Sequence, residues 1–340
     1  MLFFFLIFLL IILFCLYKNK QTENILFVCC GILLFFIAAF RRSGLDRDYY
    51  GYIRYYSLVL HQSFSRIEPS FIKITHIVDK LFSNSLYLFI IYALLGVFLK
   101  FYAINKLTRF RLLSVLIYFS GFFLLFEMTQ IRAGVAAGLL LLCIEPIKER
   151  RLGLFLFLAS IAFFFHYSAI VIFPLYFLNG HKLNSKIYLI LIPVAYLLYF
   201  LKFNLISFFN LIPISLIQIK IHSYYYYASV NKINLFNYVH LFRCLLAYLF
   251  LWKWKLIAET NDYSIILTKI YVIAIFIFVA LGNIPSISSR ISELLMVVEI
   301  IMIPFLTIIM KPKYLSISFV IGIGLAFLSL SLLYTKILKF

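Results

Sequence analysis

Charge is scarce in this chain. Only 13% of its 340 residues are charged, and 12 Asp and Glu stand against 31 Lys and Arg. With 65% hydrophobic residues and a mean hydropathy of +1.06, a water-soluble domain would have nowhere to bury its apolar surface. That excludes the soluble classes and leaves a polytopic membrane protein. There is no hydrophilic domain, internal repeat or low-complexity linker, so residues 1–340 read as a single transmembrane domain. The five Cys (15, 29, 30, 143 and 244) all lie in apolar runs without metal-ligand spacing, and Cys29 and Cys30 are adjacent inside a helix. They read as small core residues, not disulfides or ligands, and neither a metal nor a cofactor is expected. The first apolar segment, Leu2 to Tyr17, lacks a basic leader and a small-residue cleavage site, so it reads as a helix and not as a signal peptide. The net charge of +19 would suggest nucleic acid in a soluble protein. Here much of it sits in short loops between apolar segments, and no nucleic-acid partner is expected.

What the chain does have is a row of apolar stretches, with aromatic residues at 20% and 40 Phe. The expected spans are 2–17, 25–40, 86–104, 112–126, 131–145, 152–165, 167–178, 187–201, 238–252, 264–281, 291–310 and 314–334. Several fall short of the roughly 20 residues a crossing needs, and the pieces around His166 read either as two spans with a tight turn or as one broken helix. Every second loop is short and basic: Lys18 and Lys20; Lys100, Lys106, Arg109 and Arg111; Lys148, Arg150 and Arg151; Lys182 and Lys186; Lys253 and Lys255; Lys311 and Lys313. The positive-inside rule sends these loops to the cytoplasm, with Trp252 and Trp254 as interfacial anchors. Segments 41–85, 127–132, 166–168, 202–237 and 282–290 then face outward, as do both termini. Lys336 and Lys339 fit that placement least well.

The outward segments carry the polar chemistry. The first runs from Arg41 and Arg42 through Gly44, Asp46, Asp48, Tyr49 and Tyr52 to Glu68 and Pro69. Residues Tyr49 to Leu60 and 70–82 have the apolar spacing of interfacial amphipathic helices. Arg, Asp and Tyr interleaved at a membrane surface suit a carbohydrate with a phosphate anchor, because Tyr stacks on sugar faces, carboxylates bind hydroxyls and Arg neutralises phosphate. An ordinary charged juxtamembrane loop is the bland reading. Asp46-Arg47-Asp48 has the spacing of metal-dependent sugar-nucleotide transferases, yet that spacing is common and nucleotide sugars are cytoplasmic. Arg132 opens a helix, where a cation opposes the macrodipole; its partner is either Glu127 or an anionic ligand. His166 closes a helix, as a structural histidine or as a catalytic one. Arg290 and Glu293 lie one turn apart and can pair. Glu299 lies at depth, where an ionisable group costs roughly 2.5–3.5 kcal/mol, so it needs an interior partner such as Arg243. Tyr224, Tyr225, Tyr226 and Tyr227 form either a sugar-facing outer loop or an aromatic belt.

Taken in order, Gly44, Asp46, Tyr49, Glu68, Pro69, Arg132, His166, Arg290 and Pro304 resemble the pattern of the EpsG-like polysaccharide polymerases, a branch of the Wzy-type O-antigen and capsule polymerases. The likeness covers roughly residues 25–310 and departs from the pattern at Gln130-Ile131-Arg132-Ala133-Gly134, which is compressed. The resemblance implies a glycosyltransferase of the bacterial cytoplasmic membrane. It would move a growing glycan from undecaprenyl diphosphate onto a new lipid-linked repeat unit at the extracytoplasmic face, during O-antigen, lipopolysaccharide, capsule or exopolysaccharide synthesis. Its partners would be those lipid-linked glycans, membrane lipids and a chain-length regulator protein. The expected fold class is all-α, about twelve transmembrane helices in a GT-C-like bundle with interfacial helices over 41–85. Arg290, Arg132 and Arg41 or Arg42 are candidates to stabilise the leaving diphosphate without a metal. His166, Asp46 and Glu68 are candidates for the base, with His166 and Asp46 favoured equally. Asp48, Tyr49, Tyr52, Glu293, Tyr224 and Tyr225 are candidates for substrate contacts. A flippase for the same lipid-linked sugar would need charges along a path open to both faces, whereas the polar residues here cluster at one face. A membrane acyltransferase would need a His and a carboxylate fed by an acyl donor.

Overall fold

A computed structural model describes residues 1–17, 19–61, 67–202 and 233–339, and among them the chain is helical, with one isolated β-bridge between Asp46 and Leu338. The helices are α1 (Leu2–Cys15), α2 (Lys20–Ala39), α3 (Tyr49–His61), α4 (Pro69–Phe82), α5 (Leu86–Leu107) and α6 (Arg111–Ile117). The last of these continues as a π-helical segment, Tyr118–Thr129. After it come α7 (Ile131–Lys148), α8 (Leu152–Phe165), a 3-10 helix (Tyr167–Phe177), α9 (Ser185–Phe200), α10 (Tyr238–Trp252), α11 (Ser264–Ala280), α12 (Pro285–Met296) and α13 (Lys313–Ser329).

Among the described residues, five stretches are long and apolar enough to cross a membrane: Lys20–Ala39, Leu86–Leu107, Arg111–Thr129, Pro285–Ile309 and Lys313–Tyr334. Six of the other expected spans appear as shorter apolar helices at the expected positions, among them the 17-residue α11 and the 11-residue 3-10 helix, and the span expected at 131–145 is the 18-residue α7, which carries Arg132, Glu145 and Lys148. Asn19 caps α2 by accepting from the Gln21 amide at 2.9 Å, and Asn237 caps α10 by accepting from the His240 amide at 2.9 Å. Pro69 starts α4, and Ser83 ends it in the left-handed region with φ 49°.

The chain forms two compact units. The first comprises 1–142, 160–166 and 299–340, and the second 143–159 and 167–298. In the first, α2 packs on α5, α1 and α13 pack on α6, α13 also packs on the π-helical segment, and α3 packs on α4. In the second, α11 is central, packed by α9, α10 and α12. Within each unit the basic loops gather at one end of the helices. In the first unit Tyr17, Arg109, Arg111 and Lys313 line one cavity. In the second, Lys148 lies 3.7 Å from Asp262, and Lys269 donates to the carbonyls of Asn179 and Lys182, each at 2.6 Å.

The question of a turn or a broken helix at His166 has a clear answer. Phe155 of α8 meets Tyr176 at 5.0 Å between ring centres, and the Tyr176 hydroxyl donates to the Arg150 carbonyl at 2.9 Å. Within the second unit the 3-10 helix therefore returns to the start of α8, so the chain reverses between the two pieces.

Lys100 does not belong with the basic loops. It lies within α5, wholly buried, with its ammonium 2.5 Å from Glu127 Oε1 and donating to the Gly134 carbonyl at 2.7 Å. Tyr118 OH donates to the same carboxylate at 2.8 Å. Counting Lys100 as a loop charge overlooked that it falls inside an apolar span, where an ionisable residue needs an interior partner. Room for the pair comes from glycine: a Cβ at Gly96 would lie 2.0 Å from Glu127 Oε2. Gly96→Ala is therefore expected to push the carboxylate off Lys100 and lower stability by about 3 kcal/mol. Gly153→Ala, where a Cβ meets nothing within 4 Å, should be neutral or slightly stabilising. Thermal unfolding of the two variants in detergent checks this, and equal melting temperatures would overturn it.

Candidate active site

The site lies at the end of the first unit opposite its basic loops and is built on the chain that leaves α2. Arg41 is held at three points. Its Nε lies 3.2 Å from Asp46 Oδ2, its Nη1 donates to the Glu127 carbonyl at 2.6 Å, and its guanidinium stacks 4.3 Å above the Phe89 ring. Asp46 is 1% exposed, and its Oδ1 accepts from the Asp48 amide at 3.0 Å, closing a turn that leads into α3. The D-x-D spacing thus serves here to shape the turn. Gly44 makes the preceding bend at φ 72°, where a Cβ would also strike the Tyr50 ring at 2.8 Å. The far end of the chain joins this loop: Leu338 is buried and bridges Asp46, and the Lys339 amide donates to the Leu45 carbonyl at 2.6 Å. Lys339 thus sits beside the 41–48 turn.

The second group centres on Glu68, the residue that enters α4. It is 2% exposed, forms an ion pair with Arg132 Nη1 through Oε2, and has Oε1 3.4 Å from His166 Nδ1. Arg132 starts α7 and is surrounded by the faces of Tyr52, Tyr55 and Phe71, at 5.6, 5.6 and 5.4 Å. The sequence left Glu127 or an anionic ligand as its partner. The structure pairs it with Glu68, 64 positions away, and gives Glu127 to Lys100. Rings join the two groups: Tyr49 stacks on Phe89 at 4.8 Å, Tyr52 lies 6.1 Å from Phe71, and Tyr92 lies 6.2 Å from Phe71 and 5.9 Å from Phe165.

Five of the residues singled out from sequence thus meet in one place: Arg41, Asp46, Glu68, Arg132 and His166. Tyr49 and Tyr52 are buried between them, Asp48 is half-buried, and Arg42 is exposed. Arg290 (exposed) and Glu293 (half-buried) belong to α12 of the second unit. Glu299 is buried in the first unit, and Arg243 is half-buried in the second. Tyr224 and Tyr225 lie outside the described residues. Residues the sequence reading missed are Lys100, Glu127 as the Arg41 anchor, Phe89 and Tyr92. The depth of Lys100 in its span was the one available signal for the first two.

Burial leaves polar atoms without hydrogen-bond partners among the described residues, including Arg41 Nη2 and Arg132 Nε. Such atoms are usually satisfied by water or a ligand. Burial also pushes the Asp46 carboxyl above its ordinary range, with the Arg41 guanidinium opposing the shift, and the same burial lowers Arg41. Tyr56, which donates to Asp79 Oδ1 at 2.9 Å, is pushed up to about 12, first by burial and then by that bond.

These features define a helical membrane protein with a buried Arg–carboxylate–His cluster at one end of its helices. The model of the EpsG family matches residues 24–339, and the chain belongs to that family. No curated protein and no solved structure matches it.

The raised Asp46 carboxyl has a testable sign. A group protonated more readily in the folded state favours folding most below the ordinary aspartate pKa, about 3.9, and loses that contribution as pH rises through the raised value. Wild type should therefore lose stability relative to Asp46→Asn as pH climbs through that window. Paired melting curves from acid to neutral pH would show it. A difference that moved the other way would mean that Arg41, not burial, sets the carboxyl.

Proposed function

We propose that this protein is a Wzy-type polysaccharide polymerase. It joins oligosaccharide repeat units carried on undecaprenyl diphosphate at the extracytoplasmic face of the bacterial cytoplasmic membrane. Family membership suggests polymerase-like chemistry, and one observation carries the finer reading. Arg41 with Asp46, and Arg132 with Glu68 and His166, converge among tyrosines at one end of the first unit. Tyrosine faces suit sugar rings, and two arginines with spare donors suit a diphosphate.

In the proposed reaction an acceptor hydroxyl attacks the anomeric carbon of the donor glycan. A carbon–oxygen bond forms, the bond from that carbon to the diphosphate oxygen breaks, and the hydroxyl proton passes to a base. Arg41 and Arg132 hold the negative charge that develops on the leaving diphosphate. His166 is favoured as the base. Glu68 Oε1, 3.4 Å from its Nδ1, stabilises the imidazolium that forms as the ring takes the proton. Asp46 is the weaker candidate because Arg41 and the Asp48 amide already occupy its oxygens. Arg290 and Glu293, on α12 of the second unit, remain candidates on the family resemblance alone. The same reading includes about twelve crossings in a GT-C-like bundle, the basic loops in the cytoplasm, and a chain-length regulator as partner.

Purified protein given a defined lipid-linked repeat unit should make a ladder of longer glycans. Arg132→Ala should lower the rate about 100–1,000-fold, with Arg132→Lys only partly restoring it, because Lys lacks the planar fork. His166→Gln should be nearly inactive and Asp46→Asn only impaired. If Asp46→Asn is the dead variant and His166→Gln keeps turnover, Asp46 is the base. A full ladder from the Arg132→Ala and His166→Gln variants would remove the reading.

Orientation has its own test. A cysteine placed at the exposed Lys73 of α4 should react with a membrane-impermeant thiol reagent in intact cells with an opened outer barrier, above the background of the unmodified chain. Labelling only after lysis would invert the topology.

A further inference from the structure

At the basic end of the first unit lies a cavity of about 1010 Å³, bounded by the end of α1, the first turns of α2, α6 and α13, and the loop before α6. Its polar lining is Glu23, Arg109, Arg111, Thr307 and Lys313, with Tyr17 and Tyr314 at the rim. Glu23 is already committed. Its Oε1 takes Arg111 Nη2 at 3.2 Å and Nε at 3.3 Å. Arg109 lies 5.0 Å from the Phe110 ring, and neither it nor Lys313 has a carboxylate partner among the described residues. Two cations therefore face one cavity without compensation. The rest of the wall is mostly aliphatic, including Leu112 and Ile317. Tyr17 and Tyr314 are 59% and 68% exposed, as suits rings at a membrane–water boundary.

A soluble anion would need only the cations, and an apolar molecule only the aliphatic wall. A ligand that uses both has a phosphate headgroup and acyl or prenyl chains. We propose that this cavity binds the phosphate of an anionic membrane lipid, seated between Arg109 and Lys313 with its chains along the aliphatic wall. Basic pockets between membrane helices hold lipid headgroups by this combination. The site is independent of the Arg41–His166 cluster and of the reaction assigned to it. Both a diacyl phospholipid and a polyprenyl phosphate carry the required chemistry.

The test uses the full chain in phosphatidylcholine nanodiscs containing a photoreactive phosphatidylglycerol, with cross-linked residues mapped by mass spectrometry. Cross-links are expected at the start of α6 and the start of α13. Adding about 1 kcal/mol per basic residue, Arg109→Glu with Lys313→Glu should reduce capture by roughly 30-fold. Arg109→Lys should keep most of it, and Lys106→Glu, outside the cavity lining, should leave it unchanged. A melting curve for each variant separates lost binding from lost folding. Competition by unlabelled phosphatidylglycerol alone assigns a bulk phospholipid, and competition by polyprenyl phosphate assigns the carrier lipid; either supports the site. Equal capture of a photoreactive phosphatidylcholine, or capture unchanged in a folded charge-reversed variant, overturns it.

Discussion

Two opposite charges in the interior of the first unit set the position of its polar end. Removing an ammonium and a carboxylate from water costs several kcal/mol for each ion even after relaxation. Lys100 and Glu127 offset this with a 2.5 Å contact, a hydroxyl from Tyr118 and the carbonyl of Gly134. That satisfaction holds the carboxylate against α5 and α7, with Gly96 leaving the space. Glu127 lies in the last turn of the π-helical segment, a geometry often found where helices carry function. Its backbone carbonyl holds Arg41, and Arg41 holds Asp46. The turn between α2 and α3 is thus referenced to an ion pair buried among the helices.

Glu68 does the same work for the other half of the cluster. A cation in the first turn of α7 opposes the helix dipole. A carboxylate partner and three aromatic faces around the guanidinium offset that cost. The same carboxylate sits beside His166, at the end of α8. One acidic side chain therefore ties together the start of α4, the start of α7 and the end of α8, and the aromatic residues fill the space between.

Much of the helix layout was legible because hydropathy is a local property. α3 and α4 coincide with the amphipathic spacing over Tyr49–Leu60 and 70–82. Arg41, Asp46, Glu68, Arg132 and His166 stood out singly because charge in so apolar a chain is conspicuous. Their pairings were not legible. Arg132 and Glu68 are 64 positions apart, and Lys100 reaches a carbonyl 34 positions away. No periodicity encodes such contacts. The bridge between Asp46 and Leu338 was invisible for the same reason, since so short a tail carries no sign of where it docks.

The 3-10 segment after His166 changes how segment length should be counted. A window of residues becomes a thickness only through an assumed rise, about 1.5 Å for an α-helix. At the roughly 2.0 Å rise of a 3-10 helix, the 11 residues of Tyr167–Phe177 reach about as far as 15 α-helical ones. In a chain built this way, a ruler calibrated on α-helices underestimates depth, and a segment dismissed as too short can approach the far side of the hydrocarbon layer.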